Sequence, residues 1–72
     1  MNWFVEQRRA WIVEMLRIYG FINRHHVVAK FRCSPQSAGH DLTAVQAANA
    51  HWVEYQPRRK AYVNNQHETQ PK

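Results

Sequence analysis

With 72 residues, the chain has room for one small core and none for a separate cofactor domain. Hydrophobic residues make up 44% of it, with three each of Trp, Tyr and Phe, which excludes a disordered polypeptide. Ten Lys and Arg against five Asp and Glu leave a net charge of +5, a field that favours a polyanionic partner without specifying one.

The first predicted element is a helix over residues 3–19, uninterrupted by Pro or Gly and stopped by Gly20. Val5, Ile12, Leu16 and Tyr19, with Met15 beside them, form its inward stripe, while Arg8, Arg9, Glu14 and Arg17 take the other face. Trp3, Phe4, Trp11 and Ile18 do not fit that stripe. They either complete the core or form a protein interface, most simply a homodimer through this helix.

Phe21-Ile22 is a short extended segment, and Asn23 is a suitable cap for a second helix over residues 24–31, with Val27, Val28 and Phe31 inward. Arg32-Cys33 is a tight turn, with Cys33 tucked in as a small hydrophobe. Ser34-Pro35 then marks the sharpest helix start in the chain. The Ser hydroxyl caps free amides, and Pro at the first helical position lacks the amide that would go unbonded.

The third helix is predicted to run to Ala48 with Ala38, Leu42 and Val45 inward and Gln36, Ser37, Gly39, His40 and Thr43 outward. Asp41 would repel phosphate on an outward face, so it is read as structural, paired with Arg24 or Lys30. Alternation over residues 51–55 and extended character at Ala61-Tyr62-Val63 flank a turn over residues 56–60, giving a β-hairpin with a cationic tip at Arg58-Arg59-Lys60. Residues 64–72 have no apolar face and are predicted to be a frayed tail on a domain spanning 1–63.

Three helices followed by a basic hairpin is the order of a winged helix-turn-helix: a mainly α domain with a small β part. A third helix that projects from the body offers base-edge contacts from its first turns. Gln36 can pair with adenine, Ser37 and His40 can donate or accept, and Gly39 adds no bulk. Thr43 continues the outward face, and Ser34 opens it. Arg58, Arg59 and Lys60 would meet phosphates or enter a minor groove, with Arg24, Lys30 and Arg32 flanking the helix. The same residues also fit a capped helix in a small bundle and a solubilising turn.

Over residues 8–63 the chain also resembles known regulators. Arg8-Arg9, Gly20, Ile22-Asn23, Phe31, Ser34 and Asp41-Leu42 match, without a gap, the pattern of the amino-terminal domain of DeoR-type repressors. The hairpin ending in Lys60-Ala61-Tyr62-Val63 is similar to the winged domains that precede WYL ligand-binding domains in bacterial and phage regulators. The resemblance implies that Gln36, Ser37, Gly39 and His40 fall where recognition-helix contacts lie. Gly39-His40 stands where the family carries two Arg, so readout from those positions is weaker or different.

A lone Cys33 cannot form an internal disulfide, and the five His residues lie at no zinc-site spacing, so no metal or cofactor is expected. The carboxylates form no pair at a recognisable catalytic spacing, which argues against an enzyme. Glu6, Arg8 and Arg9 leave no apolar run at the start long enough for a signal peptide or membrane span, so the cytoplasm of a bacterium or phage-infected cell is the expected location. The expected function is sequence-specific binding of double-stranded DNA by a dimeric regulator. The alternative is a winged helix that docks on a host protein.

Overall fold

The computed structural model describes residues 2–67. Helix α1 spans Trp3–Tyr19, strand β1 Phe21–Ile22, α2 Arg24–Phe31, α3 Pro35–Ala48, β2 Val53–Gln56 and β3 Ala61–Asn64. This is three helices with a small three-stranded antiparallel sheet in the order β1-β3-β2, the arrangement of a winged helix-turn-helix.

The helix ends follow local chemistry. Asn2 caps α1 by accepting from the Val5 amide at 2.9 Å. Asn23 and His26 form a reciprocal capping box at the start of α2, and Ser34 accepts from the Ser37 amide at 3.0 Å to open α3. Each such cap contributes about 1 kcal/mol. Arg32 closes α2 in the left-handed region at φ 53, which turns the chain sharply enough for α3 to start three residues on.

The core is built from Ile12 and Leu16 of α1, Ile22, Val27 of α2, Ala38, Leu42 and Val45 of α3, and Trp52 and Val53. Val5, Met15, Val28, Phe31 and Cys33 are half-buried around it. Tyr19 departs from the predicted inward stripe. It is 65% exposed and borders the open groove between α1, α2 and β1, while Leu16 of the same turn is the residue that enters the core.

Arg8 and Arg9 also depart from the predicted outward face. Both guanidiniums donate to Asp41, Arg8 Nε to Oδ2 and Arg9 Nε to Oδ1 at 3.0 Å. Asp41 is therefore structural, but its partners are on α1 and not Arg24 or Lys30. Among the described residues no buried side-chain nitrogen or oxygen lacks a partner.

Strand β2 begins at Val53 and not at His51. Asn49 takes over the preceding turn: its side chain donates to the Val45 carbonyl at 2.9 Å and accepts from the Trp52 indole at 3.1 Å. Trp52 is thereby held in the turn, buried, with the Arg17 guanidinium 5.5 Å from its ring centre. Gln56 belongs to β2, so the wing turn proper is Pro57 to Lys60.

The predicted frayed tail from residue 64 is corrected for residues 64–67; the rest of it lies outside the described residues. Asn64 completes β3, is buried, and donates its side-chain amide to the Leu16 carbonyl at 3.2 Å. His67 Nε2 donates to the Ile18 carbonyl at 3.0 Å. Asn64 is thus a second donor to the Leu16 carbonyl beside the Gly20 amide at 3.1 Å, and His67 pairs the Ile18 carbonyl in the last turn of α1.

Gly20 lies at φ 86, and a Cβ there would stand 2.8 Å from His67 Cγ. Gly20→Ala is therefore expected to lose about 1–3 kcal/mol, the left-handed penalty plus displacement of His67. In a His67→Ala background the loss should shrink to the conformational part alone, as read by urea denaturation of the four proteins.

Candidate nucleic-acid interface

Opposite residues in an antiparallel pair share a face of the sheet. Pairing of Ile22 with Tyr62 and of Tyr62 with Tyr55 therefore puts both tyrosines on the face that also carries core residues Ile22 and Val53. Tyr62 is half-buried against the core and Tyr55 is 42% exposed beside it, with ring centroids 4.8 Å apart. Facing them is α3.

Between wing and helix lies an open cleft of about 1090 Å³. Gln36, Gly39, His40 and Thr43 of α3 form one wall, and Tyr55 and Tyr62 the other. Arg24 and His25 at the start of α2 close one end, and Arg59 and Lys60 form the rim at the wing tip. Arg9 also reaches the cleft. No carboxylate lines it among the described residues: Asp41, on the same helix, is turned inward and 1% exposed.

Of the residues singled out in the sequence, the fold gathers Arg24, Gln36, Gly39, His40, Thr43, Arg59 and Lys60 around this one cleft. Arg58 is exposed at the turn. Ser34 and Ser37 are engaged in the helix cap, with their hydroxyls 3.0 Å apart. Lys30 points elsewhere: its ammonium lies 5.9 Å from the Trp11 ring centre, at the α1–α2 groove. Arg32 is exposed in the inter-helix turn.

Gly39 is not forced by helix packing, since an added Cβ would meet only Arg24 Cδ, at an ordinary 3.9 Å. The buried small residue at the helix contact is Ala38. The wing turn is tightened by Arg59 N–H donating to Gln56 O at 3.1 Å and Lys60 N–H to Pro57 O at 3.2 Å. Lys60 sits at φ 51. The Arg59 guanidinium lies 6.0 Å from the Phe21 ring centre, which ties the wing tip to β1.

Reasoning from sequence alone missed Tyr55, Tyr62, His25 and Arg9. The tyrosines were visible as strand residues, but their common face depends on register, and one step of slip would send both away from α3.

No protein-family model and no curated protein matches the chain. Among the described residues no helix is long and apolar enough to cross a membrane.

Proposed function

We propose that the chain binds double-stranded DNA sequence-specifically as a small transcriptional regulator, with α3 in the major groove and the wing on the adjacent backbone or minor groove. The observation that carries this reading is the cleft itself. It is lined by Arg24, Arg59 and Lys60, with no carboxylate among the described residues that line it, between a helix with small or polar outward side chains and a cationic hairpin.

The dimensions suit the ligand. The 14-residue α3 is about 21 Å long and about 10 Å wide, and the major groove is about 12 Å across. Gln36 at its first turn would read an adenine edge, His40 one turn later would meet a base or phosphate, and Gly39 between them would let the backbone approach closely. Arg24, Arg59 and Lys60 would take phosphates, and the Tyr55 and Tyr62 hydroxyls add neutral phosphate donors along the other wall.

Selection from a random double-stranded DNA library tests the reading directly. Enrichment of a defined site is expected; a library that stays random after several rounds would overturn it. Once a site is in hand, Gln36→Ala and His40→Ala are each expected to relax discrimination at one base position by about 1–3 kcal/mol, or roughly 5- to 150-fold. Affinity for unrelated DNA should be unchanged. Equal losses on every sequence would remove these two side chains from base readout.

A further inference from the structure

Gln36, His40, Thr43 and Ala47 follow one another along α3 at spacings of four, three and four residues, so they share one line on the helix. All four are exposed and line the cleft, while Ala38, Leu42 and Val45 on the opposite side enter the core. No Lys or Arg occurs anywhere in the 14 residues of α3, and its one carboxylate, Asp41, is buried. The cations that line the cleft are rooted on other elements, Arg24 on α2 and Arg59 and Lys60 on the wing turn, and Arg9 of α1 is engaged by Asp41. Trp3, Phe4 and Ile18 are exposed on α1 and Trp11 is half-buried there, none of them lining the cleft. Base contacts therefore fall to α3.

This division limits which bases the helix can recognise. In the major groove guanine is read most often by Arg or Lys on its O6 and N7, and cytosine by a carboxylate that accepts from its amino group. α3 presents neither outward. The Gln36 amide sets one donor beside one acceptor, which matches the N7 and amino group of adenine. A guanine would set two acceptors against it and leave the amide oxygen unpaired.

His40 in its neutral form has a single N–H to offer, and N7 is common to both purines, so it separates purine from pyrimidine and not adenine from guanine. Thr43 carries a methyl beside its hydroxyl, and the apolar mark in the groove is the C5 methyl of thymine. Ala47 and Gly39 add no polar side-chain group.

We propose, resting on the DNA-binding reading, that α3 recognises A·T pairs alone, with Gln36 on an adenine edge and the Thr43 methyl packed on the C5 methyl of a thymine. The two positions are about 10.5 Å apart along the helix, or about three base pairs at about 3.4 Å each. Affinity from charge and choice of base then reside on different elements.

Uracil scanning of the site selected from the random library tests the proposal. Uracil differs from thymine only in lacking the C5 methyl, so base pairing and the minor groove are kept. With each thymine replaced in turn, one is expected to cost wild type roughly two- to fourfold in affinity, the worth of about one buried methyl group. That thymine should lie about three base pairs from the A·T pair whose discrimination Gln36→Ala relaxes. Thr43→Ser keeps the hydroxyl and removes the methyl. It should bind the thymine site as weakly as wild type binds the uracil site, and uracil there should cost it nothing further. Its salt slope should match wild type, since no phosphate contact is lost, and its thermal midpoint should hold because Thr43 is exposed.

A selected site in which no thymine responds to uracil overturns the proposal and leaves DNA binding in place. So does a thymine that responds equally in wild type and Thr43→Ser, because another side chain then meets its methyl. Arg24 lies against α3, its Cδ 3.9 Å from where a Cβ on Gly39 would stand. A guanine required in the site and released by Arg24→Gln would move readout to α2 and likewise overturn it. A library that stays random removes the DNA-binding reading itself, and this inference with it.

Discussion

Replacing Asp41 with Ala is expected to destabilise the fold by about 3–5 kcal/mol, the usual cost of removing one member of a buried ion pair. Asp41 is 1% exposed and accepts from both Arg8 and Arg9. Without it the two neighbouring guanidiniums of α1 lose their shared acceptor on α3, with the Arg8 side chain 16% and that of Arg9 30% exposed. The greater exposure of Arg9 lets water take part of the load and places the expected value toward the lower end.

A domain of 72 residues has roughly 4–11 kcal/mol of total stability, so the variant should lose a large share of its urea midpoint. A triple replacement, Arg8→Met with Arg9→Met and Asp41→Leu, should cost far less, since an apolar set of similar volume needs no desolvation of charge. A loss below about 1 kcal/mol for Asp41→Ala would mean that the cluster contributes little to holding α3 on α1.

Neutralising the wing should produce the largest change in binding. Arg58→Gln, Arg59→Gln and Lys60→Gly together remove three cations, and Gly suits the φ of 51 at position 60, so the turn is kept. Each phosphate contact contributes about 0.9 to the slope of log affinity against log salt. Loss of three contacts makes the slope shallower by about 2.7, which at about 0.1 M salt weakens binding by roughly two to three orders of magnitude.

The weakening should be the same on specific and random DNA, in contrast to the Gln36 and His40 substitutions. Arg59 also stacks on Phe21 and meets Gln56 Oε1 at 3.4 Å, so the triple variant should lose a further ~0.5–1 kcal/mol of stability. Thermal melting of the same protein separates that loss from the binding effect. Salt plots that remain parallel for wild type and variant would remove the wing from the interface.

The helices were legible because their signals are local. Gly20, Asn23 and Ser34-Pro35 mark ends within a turn of the residues they cap, and the three helix spans follow from them with the inward stripe of Ile12, Leu16, Val27, Ala38, Leu42 and Val45. The readings that changed at Trp52, Asn64 and Asp41 are those where a side-chain hydrogen bond outside the local helix or strand pattern intervenes. Alternation carried Trp52 into a strand, but its indole is held in the turn by Asn49. Polar composition made a tail of residue 64 onward, but Asn64 finds the Leu16 carbonyl 48 residues away. Arg24 and Lys30 were sequence neighbours for Asp41, yet α1 crosses α3 where Arg8 and Arg9 lie, 33 and 32 residues distant.

Composition and local pattern established a small basic domain with three helices, a cationic hairpin and an α1 too apolar for one core. Those properties reside in single residues and their near neighbours. Tertiary structure decided the rest: the β1–β3–β2 register that turns Tyr55 and Tyr62 toward α3, the inward Asp41 that leaves no carboxylate among the described residues lining the cleft, and the separation of cleft from apolar groove by α2. Each depends on which segments meet across many residues of chain. Loop-closure entropy opposes such meetings, and only burial of the shared core outweighs it.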